Sequence, residues 1–149
     1  MPDRIHLTVA TVIEDQGRYL MVRETDKVSG KKVYNQPAGH VEPGETLTAA
    51  AIRETLEETG WQVNLTAVLG LTTFTAPTNG VTYYRVVFSA TPVQQVSELI
   101  DGDIDEVLWL DEHAIAELQA EFRSPLVMMA IEDYRSGKRY PLDMIREQS

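Results

Sequence analysis

Cysteine is absent from the 149 residues, which removes disulfides, thiolate nucleophiles and zinc–cysteine centres together. No apolar run reaches the length needed to cross a bilayer. The opening MPDRIHLTVATVIED lacks the long apolar core and cleavage-like end of a secretory leader. A cytoplasmic protein without membrane contacts is therefore expected. Basic residues are scarce too: 13 Lys and Arg stand against 23 Asp and Glu, a formal net charge of −10. A long nucleic acid needs a basic stripe on its partner, and none is visible, so that class of partner is set aside. Small phosphate esters stay open if cations bridge them to the acidic chain. No repeat, low-complexity tract or linker divides the sequence, and the length suits a single domain covering residues 1–149. Both a monomer and a homodimer are compatible with it.

What is present reads mainly as strands. HLTVATVI, residues 6–13, is rich in β-branched side chains, and residues 19–23 form a returning strand after an Asp15-Gln16-Gly17 turn. Residues 27–32 are a polar loop. Residues 33–36 are short and extended because a proline follows, and residues 39–41 are extended as well. Segments 62–75 and 82–91 read as strands joined by a Pro77-Thr78-Asn79-Gly80 hairpin, and 107–110 as a further strand. Pro43-Gly44 fits the centre of a type II turn. A helix capped by Thr46 or Thr48 then runs to about Thr59, where Gly60 suits the left-handed terminating position. Asp111 caps a helix to Leu118, and Ser124-Pro125 opens a last one to Tyr134. Strands with one inserted helix and helices at the end indicate an α+β sandwich on a mixed sheet.

The helix after Gly44 is the chemically informative element. Glu57 and Glu58 follow Glu54 at i+3 and i+4, so the three carboxylates share a face. Ile52, Leu56 and Thr59 fall on the other side, where a core is expected, while Ala50 and Ala51 let a sheet or loop approach the acidic face. No lysine follows within a turn of Glu57 or Glu58. Negative charge at a helix C-terminus opposes the macrodipole, and like charges at i,i+4 repel. A solvated acidic face is the plain alternative, but several local rules broken at once mark a functional site. A hard divalent cation with a preference for oxygen, Mg2+ or Mn2+, would relieve the crowding.

Gly39, five residues, Glu45, seven residues and then Arg53-Glu54-Thr55-Leu56-Glu57-Glu58-Thr59-Gly60-Trp61 resemble the signature of the Nudix hydrolases. Thr55 departs from the pattern, since the family usually has an aliphatic residue there. Outside the signature, YNQPAGH, DGDID, LWLDEH, FRSPLV and YRSGKRYPLDMI are similar to a phosphatase branch of that family, so the resemblance covers nearly the whole chain. It implies an α/β/α sandwich around a mixed sheet, with a loop–helix–loop carrying the chemistry. It further implies release of phosphate from nucleoside di- and triphosphates and from the pyrophosphate of the hydroxymethylpyrimidine thiamine precursor.

Carried over position by position, the resemblance makes Glu54, Glu57 and Glu58 metal ligands together with the Gly39 carbonyl, for Mg2+ or its substitute Mn2+. Glu45, Arg53 and Glu57 are implied to be catalytic, the first two by orienting the ligating carboxylates. The general base is expected in the acidic run of Asp101, Asp103, Asp105 and Glu106, with Asp103 at the family's position. His40 and Arg85 are expected to contact a small phosphorylated substrate. Two other readings remain: a pyrophosphatase of ADP-ribose, dinucleotides or oxidised nucleoside triphosphates, and a ligand-sensing domain without catalysis.

Overall fold

The structure, a computed structural model, describes residues 4–148. Seven strands alternate with the helices in the order β1 (Ile5–Asp15), β2 (Arg18–Thr25), β3 (Lys32–Asn35), β4 (Ala38–His40), α1 (Leu47–Thr59), β5 (Trp61–Thr75), β6 (Thr82–Gln95), β7 (Ile104–Asp111), α2 (Glu112–Leu118) and α3 (Pro125–Arg135). The sheet is ordered β3-β2-β1-β6-β5, with β4 paired to β1 and β7 to β2. It is mixed, because β1 and β6 run parallel from Ile5↔Thr82 to Ile13↔Ala90 while β5 and β6 form a long antiparallel hairpin. Among the described residues no helix is long and apolar enough to cross a membrane.

Successive strand residues point to opposite faces, and this sorts the core into layers. Val9, Val68, Val86 and Phe88 pack with Ala50 and Ala51 of α1 on one face. Val12, Met21, Leu69 and Val87 pack on the other with Ile115 of α2 and Val127, Ala130 and Ile131 of α3. The result is α+β, with helices on both sides of the mixed sheet. Burying each of the larger apolar side chains contributes roughly 1.5–3 kcal/mol.

The local signals around α1 hold. Glu45 N donates to Glu42 O at 3.0 Å, closing the turn in which Gly44 takes φ 80°. Thr46 is the N-cap, its hydroxyl accepting from Ala49 N, and Gly60 ends the helix at φ 77°. A Cβ on Gly60 would also run into the Ser97 carbonyl, so this position admits glycine on two counts.

The expected core face of α1 holds at Thr59 and is corrected at Ile52 and Leu56. Ile52 and Leu56 are 38% and 37% exposed, whereas Ala50, Ala51, Thr55, Glu58 and Thr59 are buried. The helix lies on the sheet through its small side chains, which permit a closer approach than isoleucine and leucine would. That approach takes Glu58 inside with the alanines. Thr55, the departure from the signature, is fully buried, and its hydroxyl donates to Ala51 O at 2.8 Å.

Candidate active site

Arg53 is the hub of the acidic helix. Its Nε and Nη2 donate to the two oxygens of Glu45 at 2.7 and 2.9 Å, a bidentate pair of the strong, oriented kind. Its Nη1 donates to Glu54 Oε1 at 2.9 Å and to Glu57 Oε2 at 3.2 Å, and Nη2 also reaches the His40 carbonyl at 3.2 Å. The hydrogen bond from Arg53 holds the Glu45 carboxyl down to about 2, and the same contact raises Arg53. Glu45 further accepts from Glu42 N at 3.1 Å. The loop before α1 is thereby tied to the middle of the helix.

Glu58 sits deeper, only 8% exposed. Its Oε1 accepts from Ala38 N of β4 at 2.9 Å. Burial pushes its carboxyl up to about 9, against the pull of that amide, and the charges of Glu24, Glu54 and Asp101 add to the rise. Burial also raises Glu54, opposed by Arg53 and reinforced by Glu57 and Asp101. Gly39 completes the group, because a Cβ there would collide with the Glu54 carboxylate. Only glycine lets the β4 backbone and that carboxylate meet.

Glu54 and Glu58 are kept from solvent and Glu57 is half exposed; with the Gly39 carbonyl they would form an all-oxygen donor set, which suits a hard divalent cation. Glu54, Glu57, Glu58 and Gly39 therefore fit the expected metal. Each carboxylate is engaged within the chain, however: Glu54 and Glu57 by Arg53, Glu58 by Ala38. Among the described residues no three His, Cys, Asp or Glu side chains already converge as a metal-binding cluster.

The expectation for Asp103 meets a different geometry. Its carboxylate lies 3.4 Å from Lys27 Nζ and is 64% exposed, and Asp105 pairs with Lys32 at 2.9 Å. Asp101 is the member of the run turned to α1. Its backbone N donates to Glu57 O at 2.8 Å, and its charge acts on both Glu54 and Glu58. Asp103 and Asp105 thus face lysines, and Asp101 is the acid of the run whose charge reaches the glutamates.

A cavity of about 470 Å3 opens beside β4, with Gly39 and His40 in its wall. Arg85 of β6 lines it and is only 4% exposed. Arg85 Nη2 donates to Asn35 Oδ1 at 2.7 Å, Asn35 Nδ2 donates to Glu24 Oε1 at 3.3 Å, and Arg123 pairs with Glu24 at 3.4 Å. Arg85 Nη1 is buried without a hydrogen-bond partner among the described residues. Burial lowers the guanidinium to about 10, which still leaves it a cation at neutral pH. Phe74 and Tyr83 supply aromatic faces to the same cavity. His40 Nε2 lies 3.0 Å from His6 Nδ1, and loss of solvent, then the His6 and Arg123 charges, hold its imidazole below the usual value.

The structure thus brings Gly39, Glu45, Arg53, Glu54, Glu57 and Glu58 together, with His40 and Arg85 in the adjoining cavity and Asp103 apart. Glu24, Asn35 and Arg123 were not singled out as site residues by the sequence. They sit on β2, on β3 and before α3, and side-chain contacts across the fold join them, so no local spacing signalled them.

The profile of the NUDIX domain family matches residues 4–129. Phosphatase NudJ of Escherichia coli K12 is 40% identical over 142 residues, covering 94% of this chain and 90% of the relative. A NUDIX hydrolase of Nitrosomonas europaea superposes with a TM-score of 0.92 at 42% identity, covering 96% of this chain and 97% of that one. The MutT protein of Methanosarcina mazei Go1 shares the fold at 20% identity, with a TM-score of 0.73 over 91% of this chain and 96% of its own.

Proposed function

This chain belongs to the Nudix hydrolases, and on that premise we propose that it is a Mg2+-dependent phosphatase. Its substrates would be small phosphoanhydrides: nucleoside di- and triphosphates and hydroxymethylpyrimidine pyrophosphate, with inorganic phosphate released. The observation that carries this reading is the adjacency of two unlike environments. A buried carboxylate face, Glu54 and Glu58 against Gly39, stands beside a cavity holding the buried, partly unpartnered cation of Arg85. The 40% identity to Phosphatase NudJ over most of both chains supports the choice of bond.

Glu54, Glu57, Glu58 and the Gly39 carbonyl would hold the cation. When bound, it would offset the polyphosphate charge and activate water. Arg53 fixes Glu54 and Glu57 through hydrogen bonds, and Glu45 fixes Arg53. Arg85 Nη1 donates to a phosphate or ring acceptor of the substrate, while Asn35 holds the guanidinium in place. Phe74 and Tyr83 flank the apolar part of the substrate. Asp101 accepts the proton of the attacking water, the role the family pattern would give Asp103. The same reading takes residues 1–149 as one cytoplasmic domain.

The deciding experiment is a panel of nucleoside di- and triphosphates, dinucleotides, ADP-ribose and hydroxymethylpyrimidine pyrophosphate, assayed with Mg2+ and with Mn2+. Inorganic phosphate as the product supports the reading. A nucleoside monophosphate with pyrophosphate, or two monophosphates from dinucleotides, would identify a pyrophosphatase instead. No turnover across the panel would leave a ligand-sensing domain.

A further inference from the structure

The helix that carries the acidic face has no acidic residue in its own first turn, although that is where negative charge is most favourable. The chain supplies one from far away. Glu147 Oε2 accepts from Leu47 N at 2.5 Å and its Oε1 accepts from the Thr48 hydroxyl at 2.7 Å. The segment leading to it is anchored at intervals. Tyr140 exchanges two backbone hydrogen bonds with Val68 of β5, both 2.8 Å. A short 3-10 turn follows at Leu142–Met144. Leu142 and Ile145 pack on the cluster formed by Val9, Val68, Ala50 and Ala51.

We propose that residues 140–147 are a strap that positions the active-site helix, and that Glu147 is its positioning residue. Glu147 touches neither the carboxylate face nor the cavity. It fixes the first turn of α1, to which Thr46 and the Glu42–Glu45 turn are joined. Glu45 in turn holds Arg53, and Arg53 holds Glu54 and Glu57. Loss of the strap loosens this relay at its start. Arg85 and Asn35, the substrate contacts of the cavity, lie outside the relay, so turnover falls more than substrate affinity.

The experiment compares Glu147→Ala, Glu147→Gln and Thr48→Val with the full-length wild type. Amide hydrogen exchange is read at Glu45, Leu47 and Ala49, with Phe88 and Val87 as internal controls. Steady-state hydrolysis is read well below the melting temperature. In Glu147→Ala the three amides exchange about tenfold faster and kcat falls about tenfold, the size of one lost helix cap, while KM stays within about twofold. Glu147→Gln, which keeps an acceptor oxygen, restores most of both, and Thr48→Val gives a smaller change in the same direction. Unchanged exchange at Leu47 overturns the strap. Faster exchange at Leu47 alone with unchanged kcat overturns its positioning role, since a plain helix cap would do no more. The kcat arm rests on the proposed hydrolysis. If the wild type turns over nothing, that reading fails, and exchange at Glu45 decides the strap by itself.

Discussion

Arg53 has five N–H donors in a rigid fork, and the structure directs them to Glu45, Glu54, Glu57 and the His40 carbonyl. The strongest of these contacts has a pH signature. Glu45 ionises at about 2 in the folded protein against an ordinary 4.5. A depressed carboxyl contributes stability that is complete above the unfolded value and is lost as pH falls through the folded one. Melts of the wild type therefore lose an extra increment between about pH 4.5 and 2, and Glu45→Gln lacks that increment. Parallel acid profiles would show the pair to be inert. The acidic run gives a second test at this scale. Asp101→Asn should cut turnover about a hundredfold, in the range for a lost general base, and Asp103→Asn should leave it near wild type. The reverse ranking would return the role to Asp103. The family pattern points to Asp103, and local sequence does not show that Asp101 is tied to Glu57 while Asp103 pairs with Lys27 of a distant loop.

At the scale of the element, α1 shows what a sequence discloses and what it withholds. Its extent, a threonine cap (Thr46 of the two expected candidates) and its terminating glycine follow from interactions within a few residues, and they are legible. Which side turns inward is not, because side-chain size at the contact with the sheet decides it. Hydrophobic spacing favours Ile52 and Leu56, but the close approach allowed by Ala50 and Ala51 prevails. Substitutions separate the two arrangements. Ile52→Lys on the exposed side should change stability by no more than about 0.5 kcal/mol. Ala50→Leu, at a fully buried site, should cost about 1–3 kcal/mol through overpacking. Chemical denaturation of both variants measures the difference, and a large loss from Ile52→Lys would contradict the observed orientation. The Arg85–Asn35–Glu24 chain is hidden from sequence for a related reason: its members lie far apart in the chain, on β6, β3 and β2, and meet only through side chains at one cavity.

For the whole molecule, a cation held by the carboxylates of α1 would show itself in stability. A ligand that binds only the native state raises stability by mass action, about 2.7 kcal/mol at a hundredfold excess over its dissociation constant. Melting curves should therefore shift upward with Mg2+ or Mn2+, and Glu58→Gln with Glu54→Gln should abolish the shift. An equal shift in that double variant would move the metal elsewhere.

The parallel pairing of β1 with β6 also sets an order of events during folding. Thr8 to Ile13 have their parallel partners between Arg85 and Ala90, so the first strand is made long before the strand that completes it. Val9 to Ile13, buried on both faces of the strand, have only the short β4 and the β2 hairpin beside them without the β5–β6 hairpin. Non-local pairings of this kind slow folding. The pairing of β6 with β1 closes the sheet and completes the surface on which Ala50 and Ala51 of α1 pack.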